Sequence, residues 1–219
     1  MIVRRLTRKM EILRKEILGI NARNIDFVYR LNDRRLFARV DDKLHTKMIL
    51  EKRGIPHPRT LSVYRSHFEV DTVKQHIERI SGFVIKPSHG FGGKGILPVR
   101  RRHSRFEDGK GEELTLHRIE NHVIDILAGR FSLEREGDNA FFEELIEPDT
   151  SLTPISFGGL PDIRILVVKG EPVMGMLRVP TKASEGRANL HQGAVGVGID
   201  LNTGTLTAAV LKRKYIEVH

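Results

Sequence analysis

The chain has no cysteine. That excludes disulfides and cysteine-ligated metal, and it suits a reducing compartment, so a cytoplasmic protein is the expectation. No apolar run is long enough to span a bilayer, and the basic N-terminus lacks the apolar core of a signal peptide. None of the ten histidines stands in H-E-x-x-H or a comparable ligand spacing, so no histidine metal site is expected. Aromatics make up 6% of the chain, and none interleaves the N-terminal charges before Phe27 and Tyr29. A base-stacking platform for nucleic acid is therefore not indicated. Internal repeats and low-complexity tracts are also missing.

A length of 219 residues suits one domain, or two small lobes around a cleft. The net charge of +9 is unevenly spread, since residues 1–39 hold eleven Lys/Arg against four Asp/Glu. A solvated helix face is the favoured explanation, and contact with an acidic partner or nucleic acid is the alternative.

Ile2, Leu6, Met10, Leu13 and Ile17 recur at helical spacing and predict an amphipathic helix over 2–17, ended by Gly19. Residues 20–40 show no clear period. Asp41 or Asp42 can cap a second helix through Leu44, Met48 and Leu50, stopped by Gly54 and Pro56. Asp71 can cap a third, with Val73, Ile77 and Ile80 on one face. Arg100–Arg105 and the polar sequence up to Glu113 read as an exposed connection. Leu116, Ile119, Val123, Ile126 and Leu127 mark a helix ending near Gly129, and Ala140–Ile146 a short apolar strand. Two hairpins follow, Ile163–Val168 with Pro172–Val179 and Ala194–Asp200 with Thr205–Lys212. Helices early and hairpins late predict an α+β fold rather than a doubly wound parallel sheet.

The segment Gly82-Phe83-Val84-Ile85-Lys86-Pro87-Ser88-His89-Gly90-Phe91-Gly92-Gly93-Lys94-Gly95-Ile96 carries the most chemistry. A buried strand delivers Lys86, and a glycine-rich loop then carries Lys94. Glycines leave backbone N–H groups unobstructed, and two ammonium groups add positive charge, a combination suited to a polyphosphate. Gly90, Gly92 and Gly95 fit G-x-G-x-x-G, but a strand rather than a helix is predicted to follow. A Walker loop needs glycine where Ser88 stands and Ser or Thr where Gly95 stands. A protein kinase needs Asp-Phe-Gly and His-Arg-Asp, which this sequence does not contain. A hairpin tip without ligand is the remaining structural alternative.

Further segments accompany the loop: Asp42-Lys43, Gly54-Ile55-Pro56-His57-Pro58, Glu143-Glu144-Leu145-Ile146, Asp162-Ile163-Arg164 and Gly186-Arg187-Ala188-Asn189-Leu190-His191-Gln192-Gly193. Together, over roughly residues 41–219, they resemble the ATP-grasp superfamily, and within it the α-L-glutamate ligases of the RimK type. The D-I-R and R-x-N-L-H-x-G segments are the specific ones. The resemblance implies two α+β lobes with a nucleotide cleft between them. A basic helical segment would occupy 1–40, the smaller lobe 41–145 and a partial larger lobe 146–219.

The resemblance also implies roles. Lys86 would contact the α- and β-phosphates. The loop Ser88–Gly95, with His89, Gly90, Gly92, Gly93 and Lys94, would close over the phosphates, Lys94 near the β–γ end. Glu143, Glu144, Leu145 and Ile146 would form the hinge that pairs with adenine, with Glu143 favoured as the inward carboxylate. Lys43 would lie at the edge of the nucleotide site. Asp162, Arg164, Arg178, Arg187 and Asn189 would come from the larger lobe, the two arginines Arg178 and Arg187 stabilising the transferring phosphoryl group and Asn189 orienting phosphate or metal. Against these stand plainer roles: Glu143 and Glu144 as strand charges, and Asp162 paired with Arg164 along one strand.

Implied partners are ATP, Mg2+, a carboxylate substrate and an amine acceptor, with glutamate and a peptide or protein as candidates. Neither membrane nor nucleic acid is expected as a partner, and oligomeric state is not legible. The family chemistry is a carboxylate–amine ligation through an acyl-phosphate. The family's late acidic residue and Glu-x-Asn pair, which hold magnesium, have no match here. Asp200-Leu201-Asn202 instead reads as a turn. The expectation is a fold incomplete at its C-terminus. A non-catalytic ATP/ADP-binding module is the rival reading, and a basic nucleic-acid-binding protein ranks last.

Overall fold

A computed structural model of the chain describes residues 18–132 and 137–216. The helix expected over 2–17 lies outside them. The chain divides into two compact units, one ending at Lys52 and one beginning at Arg53.

The first unit is helical where described. A short α1 (Ile20–Ala22) runs directly into π-helical turns over Arg23–Tyr29. A 3-10 turn over Arg34–Leu36, then α2 (Ala38–Asp41) and α3 (Lys43–Lys52), follow. Residues 20–40 lack an apolar period, and the elements there are accordingly short and bury no residue fully. The break before α3 falls at Asp42, whose backbone is extended and whose carboxylate accepts from the amides of Leu44 at 2.9 Å and His45 at 3.3 Å. Those are two of the amide groups that a helix start leaves without a partner, which is why aspartate stops one helix and starts the next.

The second unit holds two antiparallel sheets. The first runs in the order β1 (Thr60–Tyr64), β6 (Ala140–Glu144), β2 (Gly82–Pro87), β3 (Leu97–Arg102), β4 (Arg105–Asp108), β5 (Glu113–Leu114). Its core is shared with α4 (Val73–Ile77) and α5 (Leu116–Leu127). In α5 the fully buried residues are Ile119, Val123 and Ile126, one stripe of a 3.6-residue period. With them lie Phe83, Ile85, Phe142 and Tyr64, and the Phe83 and Phe142 rings stack with centroids 5.1 Å apart. Each such side chain contributes about 1.5–3 kcal/mol by leaving water.

Two local expectations give way. The helical turn expected to start at Asp71 begins earlier, as a 3-10 segment over His67–Thr72 capped by Ser66. Ser66 and Glu69 form a reciprocal capping box, with the Glu69 carboxylate accepting from the amides of Arg65 and Ser66. That box satisfies more orphan donors than Asp71 could. The arginine run at 100–105 is not a free connection but β3 and β4, turned at His103-Ser104, with His103 at φ +57°. Side-chain partners make charged strands tolerable there. Arg100 grips Glu147 through its Nε and Nη2 at 2.7–3.1 Å, Arg102 pairs with Glu107 at 3.2 Å, and Arg101 lies 4.8 Å over the Phe106 ring.

The second sheet runs β11 (Lys214–Ile216), β10 (Leu206–Leu211), β9 (Val195–Ile199), β8 (Glu171–Val179), β7 (Asp162–Val168). β7 is an edge strand, and Ile163, Arg164, Ile165, Leu166 and Val167 along it are exposed. The unit is mixed helix and antiparallel sheet, as the early helices and late hairpins predict.

Candidate nucleotide site

The site grows from β2 and its neighbour β6. Across that ladder Val84 faces Glu143 and Lys86 faces Phe141, while Ile85 faces Phe142. Side chains alternate along a strand, so Lys86 and Glu143 emerge on one face and Ile85 and Phe142 go into the core. The Lys86 ammonium donates to Glu143 Oε1, and Glu143 is only 4% exposed. Glu144 points the other way and is tied to the strand start, its Oε1 accepting from the Arg59 amide at 2.9 Å. Leu145 then packs against Gly82, where an added methyl would meet Leu145 Cδ2 at 3.1 Å, and Ile146 is 42% exposed. Lysine and carboxylate thus come from strands far apart in sequence, set side by side by register alone.

The glycine loop joins β2 to β3. Gly92, Gly93 and Gly95 hold φ of +62°, +79° and +74°, backbone that L-residues avoid. Gly95 is also sterically required, because a methyl there would lie 2.6 Å from Phe131 Cγ. Gly90 rides on Pro87, where a methyl would come within 2.2 Å of Pro87 Cγ. Ser88 is buried, while Phe91, Gly92 and Lys94 are exposed at the tip. The Lys94 ammonium stands 5.0 Å from the Phe91 ring centroid. The loop is therefore fastened at its stems and open at its centre.

On the second sheet, Asp162 faces Arg178 directly across the β7–β8 ladder. Arg178 clasps Asp162 through Nε, at 2.6 Å from Oδ1, and through Nη2 to Oδ2. The carboxylate beside it raises the Arg178 pKa above its ordinary value, although burial opposes this. The partner of Asp162 is thus the cross-strand Arg178, whereas the sequence offered Arg164 on the same strand. Arg164 is exposed on that same face of β7. Asn189 accepts from the His191 amide at 3.1 Å and so caps the 3-10 turn Leu190–Gln192. That turn packs on the sheet at Gly196, where a methyl would lie 3.1 Å from Leu190 Cδ2 and 3.3 Å from Met176 Sδ. Arg187 just before it is exposed and approaches the glycine loop, with Arg187 Cδ 3.9 Å from where a methyl on Gly93 would be. Of the larger-lobe residues, Arg187 is the one shown against the loop. Lys43 begins α3 in the other compact unit.

Two residues that no motif marks hold the loop. Asp138 accepts from the His89 amide at 3.0 Å and pairs with His89 Nδ1 at 2.8 Å. His122 of α5 donates from Nε2 to the Gly95 carbonyl at 2.9 Å. Burial pushes the His122 pKa down; the Gly95 hydrogen bond and the charge of Asp125 oppose that shift. Asp138 and His122 stand 49 and 27 residues from their loop partners, beyond any local pattern.

Among the described residues no group of three or more His, Asp or Glu side chains is placed to hold a metal ion. The Asp200 carboxylate accepts from the amides of Asn202 at 2.8 Å and Thr203 at 3.2 Å, closing a turn. No helix among the described residues is long and apolar enough to cross a membrane.

Comparison with known proteins agrees with this architecture. The family model for sugar-transfer associated ATP-grasp proteins matches residues 22–219. Curated relatives called "Probable alpha-L-glutamate ligase" from Legionella pneumophila strains Corby, Lens and Paris are each 25% identical over 187 residues, covering 85% of this chain and 51% of theirs. The chain thus spans about half the length of the curated relatives it matches.

Proposed function

This chain belongs to the sugar-transfer associated ATP-grasp family, and from that premise we propose that it is a carboxylate–amine ligase working through an acyl-phosphate. At family level an ATP-dependent ligase is supported by the family match and by the relatives' name. The observation that carries the finer reading is the Lys86–Glu143 pair at the foot of a glycine loop that Arg187 approaches.

The roles follow from the chemistry of the side chains. An ammonium has three N–H donors, and Glu143 holds Lys86 in place while leaving capacity for phosphate oxygens. The exposed loop tip presents backbone amides and Lys94 to the distal phosphates. Arg187 supplies a cation beside the loop where charge develops on the γ-phosphoryl group. Arg178 acts through Asp162, holding the β7–β8 face on which Arg164 stands. The described residues do not supply an acidic cluster fitted to magnesium, so these roles rest on the chain's own cations.

In the first step a substrate carboxylate oxygen attacks the γ-phosphorus. The new O–P bond forms as the bond to the β-phosphate oxygen breaks, releasing ADP. An amine then attacks the acyl carbon, the C–O bond to phosphate breaks, and the amine loses a proton as the amide forms. Glutamate as a substrate is suggested by the relatives' name. The protein contributes positioning and exclusion of water rather than a covalent link.

Calorimetric titration of the 219-residue chain with ATP tests the reading. Binding abolished by Lys86→Ala, and binding largely kept but turnover lost in Arg187→Ala, is the expected result. Equal loss of binding in both variants would contradict these roles. Tight ATP binding without ADP release in the presence of any carboxylate and amine would favour a binding-only module.

A further inference from the structure

We propose that Asp138 is a positioning residue for the phosphate-binding loop, fastening its N-terminal stem in the conformation that receives the nucleotide. This rests on the nucleotide reading of the loop given above.

The Asp138 side chain has no exposure to solvent. An ionised carboxylate only accepts hydrogen bonds, and burying one is costly unless donors surround it. Here donors come from three segments. His89 gives its amide at 3.0 and 3.2 Å and its Nδ1 at 2.8 Å. Ser132 gives its hydroxyl, and Asn139 gives its own amide at 2.8 Å. Beside them the Ser88 amide donates to the Asn139 carbonyl at 2.9 Å.

The placement of these donors decides what the carboxylate is for. The β2–β6 ladder already closes with Pro87 opposite Ala140. Asp138 acts one step further on, on the amide and ring of His89, which set the direction in which the chain leaves β2 after Pro87. The C-terminal stem is held separately, by His122 on the Gly95 carbonyl and by Phe131 against Gly95. Between the two anchors lie Phe91–Lys94, which carry the left-handed Gly92 and Gly93 and the second lysine. A loop so framed keeps its amides oriented without ligand, which lowers the ordering cost of binding. Without Asp138 the stem would lose the contacts that fix His89, and the phosphates would have to supply more of its ordering.

Two measurements on the full chain test this: hydrogen exchange of the loop peptide against peptides of β2 and β6, and titration with ATP, ADP and adenosine. Asp138→Asn keeps the shape but removes the charge and part of the accepting capacity. It is expected to weaken ATP and ADP binding about tenfold, as loss of a charge-assisted bond implies, with adenosine binding unchanged and faster exchange confined to the loop. Ser132→Ala, which leaves the carboxylate intact, should show the same pattern at about threefold, and it carries the test if Asp138→Asn does not fold. Equal weakening of ATP and adenosine, or faster exchange throughout β2 and β6, would make Asp138 merely structural and overturn the proposal. So would unchanged ATP binding in a variant whose parent binds ATP. A parent chain that binds neither ATP nor ADP would instead sink the nucleotide reading itself, and with it any phosphate role for Asp138.

Discussion

At the scale of single residues, the site is a set of paired charges whose geometry is imposed by strand register. Lys86→Ala should therefore do two things. It removes the ammonium proposed to meet phosphate, and it takes the Lys86 half of the ion pair away from the nearly buried Glu143. ATP binding should fall by more than tenfold, and stability by about 2 kcal/mol, since removing one member of a nearly buried ion pair is costly. Adding Glu143→Gln should restore much of the stability, read as the denaturation midpoint, and none of the binding. A melting temperature unchanged by Lys86→Ala would show that the pair adds nothing to folding. Gly95→Ala tests the loop's backbone. Its φ of +74° and the Phe131 ring 2.6 Å from the would-be methyl forbid the substitution without movement. ATP binding should weaken at least tenfold while Gly92→Ala, which meets strain but no neighbour, is less damaging. The lysines and glycines were legible as types in a pattern. Residue type does not separate Glu143 from Glu144, because strand parity is supplied only by the ladder with β2.

At the scale of elements, α5 couples the core to the loop. Its buried stripe packs the first sheet, while His122 turns to the Gly95 carbonyl. Burial holds the His122 pKa below its ordinary value of 6.5, against the opposing pull of the Gly95 bond and Asp125. The neutral ring is then the form the fold favours. Its contribution to stability is complete above pH 6.5 and declines as pH falls through the lowered folded value, because the unfolded chain takes up the proton first. The difference in unfolding free energy between the parent and His122→Asn should therefore shrink between pH 7.5 and 5.5. A constant difference would mean that His122 does not titrate between the two states. The capping box is a second element-scale feature, and Ser66→Ala should cost about 1 kcal/mol by chemical denaturation. Helix α5 and the two late hairpins were legible because period and turn residues agree there. The box at Ser66 and Glu69 was hidden behind Asp71, an equally good cap by composition. The arginine run was hidden because charge masked a strand whose side chains lie along Glu147, Glu107 and Phe106.

At the scale of the whole molecule, stability is unevenly distributed. The first sheet has a closed core with α4 and α5, in which Phe142 is fully buried and stacked on Phe83. Phe142→Ala should cost about 3–5 kcal/mol, visible as a large drop in the denaturation midpoint with loss of nucleotide binding as a consequence of unfolding. The second sheet carries fewer buried residues, with Leu177, Val179 and Ala209 among them. Ile163→Val at the exposed edge should therefore change stability by less than about 0.5 kcal/mol, a contrast that equilibrium denaturation can read. By itself the sequence determined the class of the fold, the strand–lysine–glycine-loop unit and the family, because these depend on local spacing and residue type. Only the tertiary structure decided which carboxylate meets Lys86, that Asp162 belongs to Arg178, and that Asp138 and His122 hold the loop. Those contacts join residues 16 to 57 positions apart. They depend on strand register and on the packing of α5, and no short-range pattern encodes either.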